Sequence, residues 1–328
     1  MIAATYTQGQ KLEFTDVPVP ALRAGDALLK VAATSICGTD IKIARAGHRK
    51  LKPGQRITLG HEFAGTIVEG ALKGQRVGVA PNWGCGACDA CIRGLANMCP
   101  DYSAFGIDSD GSHTQYVRIP SSAIAQGNVT PLPDGVPWEE AALAEPLSCC
   151  LNGQKAARLA PGETVVIFGA GPMGLLHVAL AAATGAAQII VRDPVAERLQ
   201  IARALGATGT EVRGLVDVVI TATPVKAVAE EALALLKPFG RLCLFAGLAK
   251  DQSVIQLDAN AIHYKSLSVT GTTGGCAADY RTALNLIASR RVDVRPVISH
   301  ILPLAKLAEA YDVALSGKCL KVVMTGEA

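Results

Sequence analysis

Cys85, Cys88, Cys91 and Cys99 fall within fifteen residues in the spacing C-x2-C-x2-C-x7-C. Short turns between thiolates bring soft ligands together, and zinc takes four of them in a tetrahedron. A disulfide cluster suits a small secreted domain, and this chain of 328 residues is not small. Four protein ligands close a zinc shell, so this site is expected to be structural. Chemistry must then lie elsewhere. A second set supplies candidates: Cys37-Gly38-Thr39-Asp40, then Gly60-His61-Glu62, then Glu145-Pro146. Cysteine, histidine and carboxylate together bind a zinc that keeps a position open to water or substrate.

A third pattern reads Gly169-Ala170-Gly171-Pro172-Met173-Gly174. It follows the apolar, β-branched run Thr164–Phe168 and opens an Ala- and Leu-rich stretch, the setting a dinucleotide-binding turn requires. Gly169 would make the tight turn, Gly171 would admit a pyrophosphate and Gly174 would let helix pack on strand. The helix N-terminus that carries Pro172 and Met173 favours the phosphate charge. Asp193 stands nineteen residues past Gly174, at the end of a second strand. A carboxylate there accepts hydrogen bonds from both ribose hydroxyls and repels a 2′-phosphate, which favours NAD over NADP. Arg198, in the helix that follows, joins the candidate coenzyme residues. The glycines also fit an ordinary strand-to-helix turn, and Asp193 a helix N-cap before Pro194. Arg192 keeps NADP open.

Elements must position these groups. Residues 1–125 carry short apolar runs, among them Ala27–Ala32, Ile57–Leu59, Thr66–Val68 and Arg76–Ala80. Gly, Pro and Asp punctuate them, as in an irregular β domain. A Pro/Gly-rich connection at Pro131–Pro137 precedes an expected helix, Trp138–Leu151. Strands are then expected at Thr164–Phe168, Gln188–Val191, Val216–Thr221 and Arg241–Phe245. Helices alternate with them at Leu175–Thr184, Ala196–Leu205 and Lys226–Leu236. Such alternation makes a parallel sheet. Arg281–Ser289 and Leu304–Ser316 read as helices and Lys321–Met324 as a last strand.

Half of the chain is hydrophobic and 18% is charged, ample for buried cores and against disorder. A net charge of +3 with no basic block gives nucleic acid no footprint. No apolar stretch reaches the roughly eighteen residues that a membrane span needs. Met1–Lys11 shows no secretory h-region, so a reducing, cytoplasmic setting is expected.

These segments together resemble the zinc-dependent medium-chain dehydrogenase/reductase family of the alcohol dehydrogenase superfamily. Cys37-Gly-Thr-Asp, Gly60-His61-Glu62-Phe63, Gly74-Gln-Arg-Val77, the four-Cys lobe, Glu145-Pro146-Leu147 and Gly169–Gly174 occur in the family's order across nearly the whole chain. Glu145-Pro-Leu is the pattern of the sorbitol/polyol branch and its threonine-dehydrogenase neighbours. The resemblance implies an α/β chain in two parts. One is a GroES-like irregular β catalytic domain over 1–150, with a structural zinc lobe at 84–100, completed by 277–328. The other is a doubly wound Rossmann NAD-binding domain over 151–276. It implies Cys37, His61 and Glu62 as catalytic zinc ligands, Glu145 as a ligand or holder of the metal's water, and Thr39 as the start of a proton relay. It implies two zinc ions per chain, NAD, hydride transfer to or from a secondary alcohol in a cleft between domains, and a homo-tetramer or homo-dimer joined through Gln252–Gly275. A polyol, sugar alcohol or cyclitol is the expected substrate. Threonine or another amino alcohol is the alternative, and a non-catalytic zinc- and nucleotide-binding protein is a third.

The chain departs from the family at several points. Val68–Lys73 and Ala207–Leu215 are shorter than usual, the second lacking an expected strand and helix. Lys42 and Asn152 stand where relatives often have His. His113, in Asp110-Gly111-Ser112-His113, occupies a place relatives often give to an apolar residue near substrate, and it reads here as a solvated loop histidine. Cys149, Cys150, Cys243, Cys276 and Cys319 have no partner spacing and read as small buried residues.

Overall fold

The computed structural model describes residues 1–326. They form two compact units: Met1–Ser148 with Gly275–Arg290 and 298–326, and Cys149–Gly274 with Arg291–Val297.

The first unit is built on strand Ala27–Ser35, buried along its length except at Lys30. A strand apolar on both faces belongs in the middle of a sheet. Among the described residues its sheet runs Val129–Pro131, Arg76–Val79, Glu62–Gly70, Ala27–Ser35, Lys321–Thr325 and Ile298–Pro303, with Tyr116–Ile119 also paired to the central strand. The central register sets the later chemistry. Ser35 lies opposite Glu62 on one side and Val323 on the other. Residues far apart in sequence therefore meet at one end of this strand. A smaller sheet orders Leu12–Asp16, Ile2–Thr7 and Arg56–Thr58. Leu29, Phe63, Ile67, Phe105, Tyr311 and Met324 lie in one fully buried core.

The second unit carries a parallel sheet ordered Gln188–Arg192, Thr164–Phe168, Val216–Thr221, Leu236–Leu244 and Ser268–Gly271. Val165, Val166 and Ile167 are 0% exposed, as the centre of a doubly wound sheet demands. Helix Pro172–Thr184 begins with its proline, earlier than the expected Leu175, because a first-turn residue needs no hydrogen-bonded N–H. It buries Gly174 through Ala181 and ends on Gly185 in the left-handed region, φ 91°.

The expected strand Arg241–Phe245 starts earlier, as Leu236–Leu244, and the expected helix Arg281–Ser289 is Ala277–Ala288; three other expected elements are split or cut short. Trp138–Leu151 is two helices, Trp138–Ala141 and Ala144–Ala156. Pro146 would clash with the carbonyl four residues back, at Ala142, so it can occupy only the first turn of a new helix. Lys226–Leu236 stops as an α-helix at Glu231, tightens through Ala232–Leu235, and Leu236 already begins a strand. Leu304–Ser316 opens with a tight turn, Leu304–Lys306, before helix Leu307–Leu315. In the shortened segment Ala207–Leu215 a single bridge, Ile190 to Gly209, replaces a paired strand. Thr208 accepts from Ile189 N at 2.9 Å and thereby covers part of the sheet edge.

Candidate active site

Cys37 caps helix Gly38–Ala46, and its backbone N–H donates to Asp40 Oδ2 at 2.8 Å. The helix thus starts with its acidic third residue folded back on the cap. Thr39 lies in the first turn, half-buried, and Lys42 is exposed. Glu62 begins strand Glu62–Gly70, and His61 immediately precedes it. One ligand atom each from Cys37, His61 and Glu62 lies within 4.8 Å of the others. Glu145 is outside that trio. It stands in the first turn of helix Ala144–Ala156, 6% exposed.

Groups around the trio hold it. Asp40 is fully buried, and its Oδ1 accepts from Gly60 N at 3.2 Å and faces His61 Nδ1 at 3.4 Å. A carboxylate on one imidazole nitrogen leaves the other for a metal. Glu62, also fully buried, is gripped by Lys321, with Nζ to Oε2 at 2.5 Å, and by the Ser35 hydroxyl. The sheet register explains this, since strand Ala27–Ser35 lies between the strands of Glu62 and Lys321. Sequence reasoning missed both Lys321 and Ser35. The available signal was a lysine opening the apolar run Lys321–Met324, where a buried charge needs a partner.

The electrostatics favour a cation. Burial opposes charge on His61, yet Asp40 and Cys37 outweigh it and hold the imidazole well above its ordinary pKa. Burial likewise opposes ionisation of Asp40, but His61 above all brings its carboxyl down to about 2. Burial also opposes charge on Lys321, and Glu62 with Cys37 holds the ammonium above its usual range, Glu145 adding to the effect. Three buried carboxylates, of Asp40, Glu62 and Glu145, and the Cys37 thiol thus surround one buried ammonium and one imidazole. A divalent cation on Cys37, His61 and Glu62 answers that anionic excess, and the sulfur, nitrogen and oxygen set is one zinc accepts.

The four lobe thiols also lie within 4.8 Å of one another. Cys88 caps the short helix Asp89–Ile92, Cys91 lies in it, and Cys99 follows the turn Ala96–Met98. Cys85 N donates to Cys99 Sγ at 3.3 Å. The Gln126 side chain clamps Gly84, accepting from its N–H at 2.9 Å and donating to its carbonyl at 2.8 Å. A side chain on Gly84 would collide with Cys91 Sγ. The N–H groups of Ala87 and Cys88 bring the Cys85 thiol down to about 6, which readies it as a thiolate ligand.

In the second unit Gly169 has φ +100°, and a Cβ there would meet the Ala222 carbonyl at 2.9 Å. A Cβ on Gly174 would collide with the Gly169 carbonyl. Gly171 caps helix Pro172–Thr184, in whose first turn Met173 lies, and a Cβ on Gly171 would meet no protein atom within 4 Å. Asp193 Oδ2 accepts from Ala170 N at 2.7 Å and Oδ1 from Val195 N at 2.9 Å. Its carboxylate therefore ties the second strand's end to the glycine turn, and each oxygen keeps a lone pair. Arg192 ends its strand exposed, and Arg198 is half-buried in helix Ala196–Ala204.

Residues 23–134 match the family model described as the alcohol dehydrogenase GroES-like domain. Residues 172–289 match that of the zinc-binding dehydrogenase. The L-threonine 3-dehydrogenase of Pyrococcus horikoshii is 33% identical over 98% of this chain and 98% of its own. This chain is a medium-chain dehydrogenase of the alcohol dehydrogenase superfamily. The sorbitol dehydrogenase of Bacillus subtilis is likewise similar to this medium-chain dehydrogenase, 33% identical over 99% of this chain and 97% of its own. Among solved structures, a zinc-binding dehydrogenase from Sinorhizobium meliloti bound to NADP matches it with a TM-score of 0.89. That structure is 29% identical and covers 99% of this chain and 98% of its own.

Two readings of the sequence change in this medium-chain dehydrogenase. His113 is not a solvated loop residue. It is fully buried, with Nδ1 2.7 Å from the Tyr311 hydroxyl and Nε2 3.2 Å from the Ser35 carbonyl. Of the unassigned cysteines, Cys150, Cys243 and Cys276 are buried as expected, whereas Cys149 and Cys319 are only half-buried. Among the described residues no helix is long and apolar enough to cross a membrane.

Proposed function

We propose that the protein is a zinc-dependent oxidoreductase that passes hydride between NAD and a secondary alcohol of the polyol, sugar-alcohol or cyclitol class. The observation that carries this is the trio of half-buried Cys37 with buried His61 and Glu62, whose ligand atoms lie within 4.8 Å of one another, apart from a separate set of four thiols. Zinc at the first set supplies a Lewis acid for the alcohol oxygen. Cys37, His61 and Glu62 hold it, and Glu145 acts as a further ligand or holds a water there. Asp40 keeps His61 oriented, and Lys321 with Ser35 fixes Glu62. Thr39 would take the hydroxyl proton on its oxygen while releasing its own toward the coenzyme ribose or solvent. Cys85, Cys88, Cys91 and Cys99 hold a structural zinc.

Gly169, Gly171, Pro172, Met173 and Gly174 would hold the coenzyme, Asp193 would accept from its ribose, and Arg198 would join them. Gly171 supports this reading, because no protein neighbour requires it to lack a side chain. The chemistry of the hydride belongs to the coenzyme, while the protein binds and orients. A homo-oligomer joined through Gln252–Gly275 belongs to the same reading.

Oxidation of threonine or another amino alcohol is the second reading, favoured by the similarity to the Pyrococcus enzyme. Initial rates with NAD and NADP across polyols, cyclitols, phosphorylated sugars and amino alcohols test both readings. Polyol-dependent NADH formation is expected, and turnover of threonine alone transfers the assignment. Asp193→Ala should weaken NAD binding about ten- to hundredfold, the loss of roughly 1.5–3 kcal/mol of charge-assisted hydrogen bonds, and should relax discrimination against NADP. A wild type that prefers NADP in titrations refutes the role given to Asp193.

A further inference from the structure

His113 is a polar ring that the chemistry above does not use, yet the fold buries it completely. Its backbone is fixed to the chain that delivers His61. His113 N donates to Leu59 O at 2.9 Å, and Ser112 N donates to Gly60 O at 3.0 Å. Gly60 has φ +96°, and a Cβ there would collide with the His113 ring. The imidazole thus occupies room that only glycine leaves, directly against the residue preceding a candidate ligand.

Its partners determine its tautomer. Nε2 faces the Ser35 carbonyl at 3.2 Å and Asp40 Oδ2 at 4.0 Å, both acceptors, so Nε2 carries the hydrogen. In a neutral imidazole Nδ1 is then an acceptor. The Tyr311 hydroxyl, 2.7 Å away, donates to it. Tyr311 is itself 1% exposed, and its ring meets His113 edge-on at 5.5 Å between centroids. These two residues come from opposite parts of the first unit's chain and make a closed polar pair inside its apolar core.

We propose that His113, with Tyr311 fixing its tautomer, is a positioning residue for the metal site: its Nε2–H holds the Ser35 carbonyl and, through Ser35, the ligand Glu62, while its ring braces Gly60, the residue before the ligand His61. This rests on the reading of Cys37, His61 and Glu62 as metal ligands. Asp40 lies between two imidazoles, with His61 Nδ1 3.4 Å from Oδ1 and His113 Nε2 4.0 Å from Oδ2. The N–H groups of Cys37 and Gly60 complete its surroundings at 2.8 and 3.2 Å. Ser35 receives His113 on its carbonyl and gives its hydroxyl to Glu62. One ring thus reaches Glu62 by hydrogen bonds through Ser35 and lies against Gly60, the residue before His61. Groups that orient metal ligands commonly matter about 10–100-fold in metal affinity or activity. His113 stands one residue further out, so the low end of that range, about tenfold, is expected.

Two replacements separate positioning from packing. A Gln carboxamide reaches the place of Nε2, and an Asn carboxamide reaches only that of Nδ1. The holoenzyme is loaded with cobalt(II) at the Cys37 site. The visible spectrum of the metal, its release to a chelator and the thermal midpoint are then recorded. His113→Gln should keep the wild-type spectrum and release rate. His113→Asn should shift the spectrum and release cobalt about tenfold faster, with the metal of the four-Cys lobe unaffected. Tyr311→Phe keeps the ring but removes the donor that fixes the tautomer, and it should release cobalt faster than wild type. Equal release from the Asn and Gln variants, or release that merely follows the thermal midpoint, makes His113 a packing residue and overturns the proposal. If His113→Asn does not fold, Tyr311→Phe decides, and a wild-type release rate there overturns it too. A wild type that takes up no cobalt at Cys37 refutes instead the reading of the trio as ligands.

Discussion

The two candidate metal sites of the first unit are made in opposite ways. The four-Cys lobe takes every ligand from one stretch of fifteen residues, Cys85 through Cys99, and Cys85 is exposed. Its own turns bring the thiols together, and outside help is limited to a clamp such as Gln126 on Gly84. At the Cys37–His61–Glu62 site the imidazole and the carboxylate are buried and the thiol is half-buried, and Asp40, Ser35 and Lys321 hold its charges. Lys321 lies 259 residues from Glu62 in sequence. A ligand set closed by local turns needs little of the fold around it. A set that keeps a position open needs the fold to do what a fourth ligand would have done.

That contrast breaks most readily at Lys321. Lys321→Met leaves Glu62 as a buried, uncompensated charge, and removing one partner of such a pair costs about 3–5 kcal/mol. Urea unfolding of chelator-treated protein should show that loss, while the lobe retains its zinc. Loss of lobe zinc in the same variant would mean that the two sites are not independent.

Glu145→Gln comes next. It keeps the side chain's shape and removes its charge. Turnover should fall about 10–100-fold, and its pH profile should move upward. NAD binding and the lobe should be unchanged. A variant with normal rate and profile makes Glu145 a mere helix position beside Pro146.

Metal removal sharpens the comparison directly. An open site exchanges ligands with solvent more easily than a closed one. A chelator should therefore take one zinc per chain first and stop turnover, with the circular-dichroism spectrum retained. Metal analysis that finds full activity after that loss assigns catalysis elsewhere.

The last test is a control outside both sites, with no effect expected on either metal. His177, in helix Pro172–Thr184 of the second unit, is fully buried, and burial brings its pKa down to about 3. Between pH 6.5 and 3 the unfolded chain binds a proton that the folded chain refuses, so stability falls as pH falls through that window, by at most about 1.4 kcal/mol per pH unit. His177→Gln should flatten the acid limb of the stability curve and leave both zinc ions in place. An acid limb of unchanged slope removes His177 as its cause.

The sequence by itself determined what is local. The lobe's cysteines, the glycine turn between an apolar strand and an Ala-rich helix, and the alternation of strands and helices after Glu163 were legible because neighbours in sequence make those contacts. The Cys37, His61 and Glu62 fragments were legible as candidates through their residue types and order. Helix breaks at Ala142 and Glu231 escaped because a helical run of side chains does not report the clash of Pro146 or the tight turn before Leu236. Only the tertiary structure decided that Lys321 faces Glu62 and that His113 meets Tyr311, 198 residues away. Both contacts depend on which strands and helices pack together and in what register. A shift of one residue in a strand turns each side chain to the opposite face, and nothing in the local sequence of either partner carries that information.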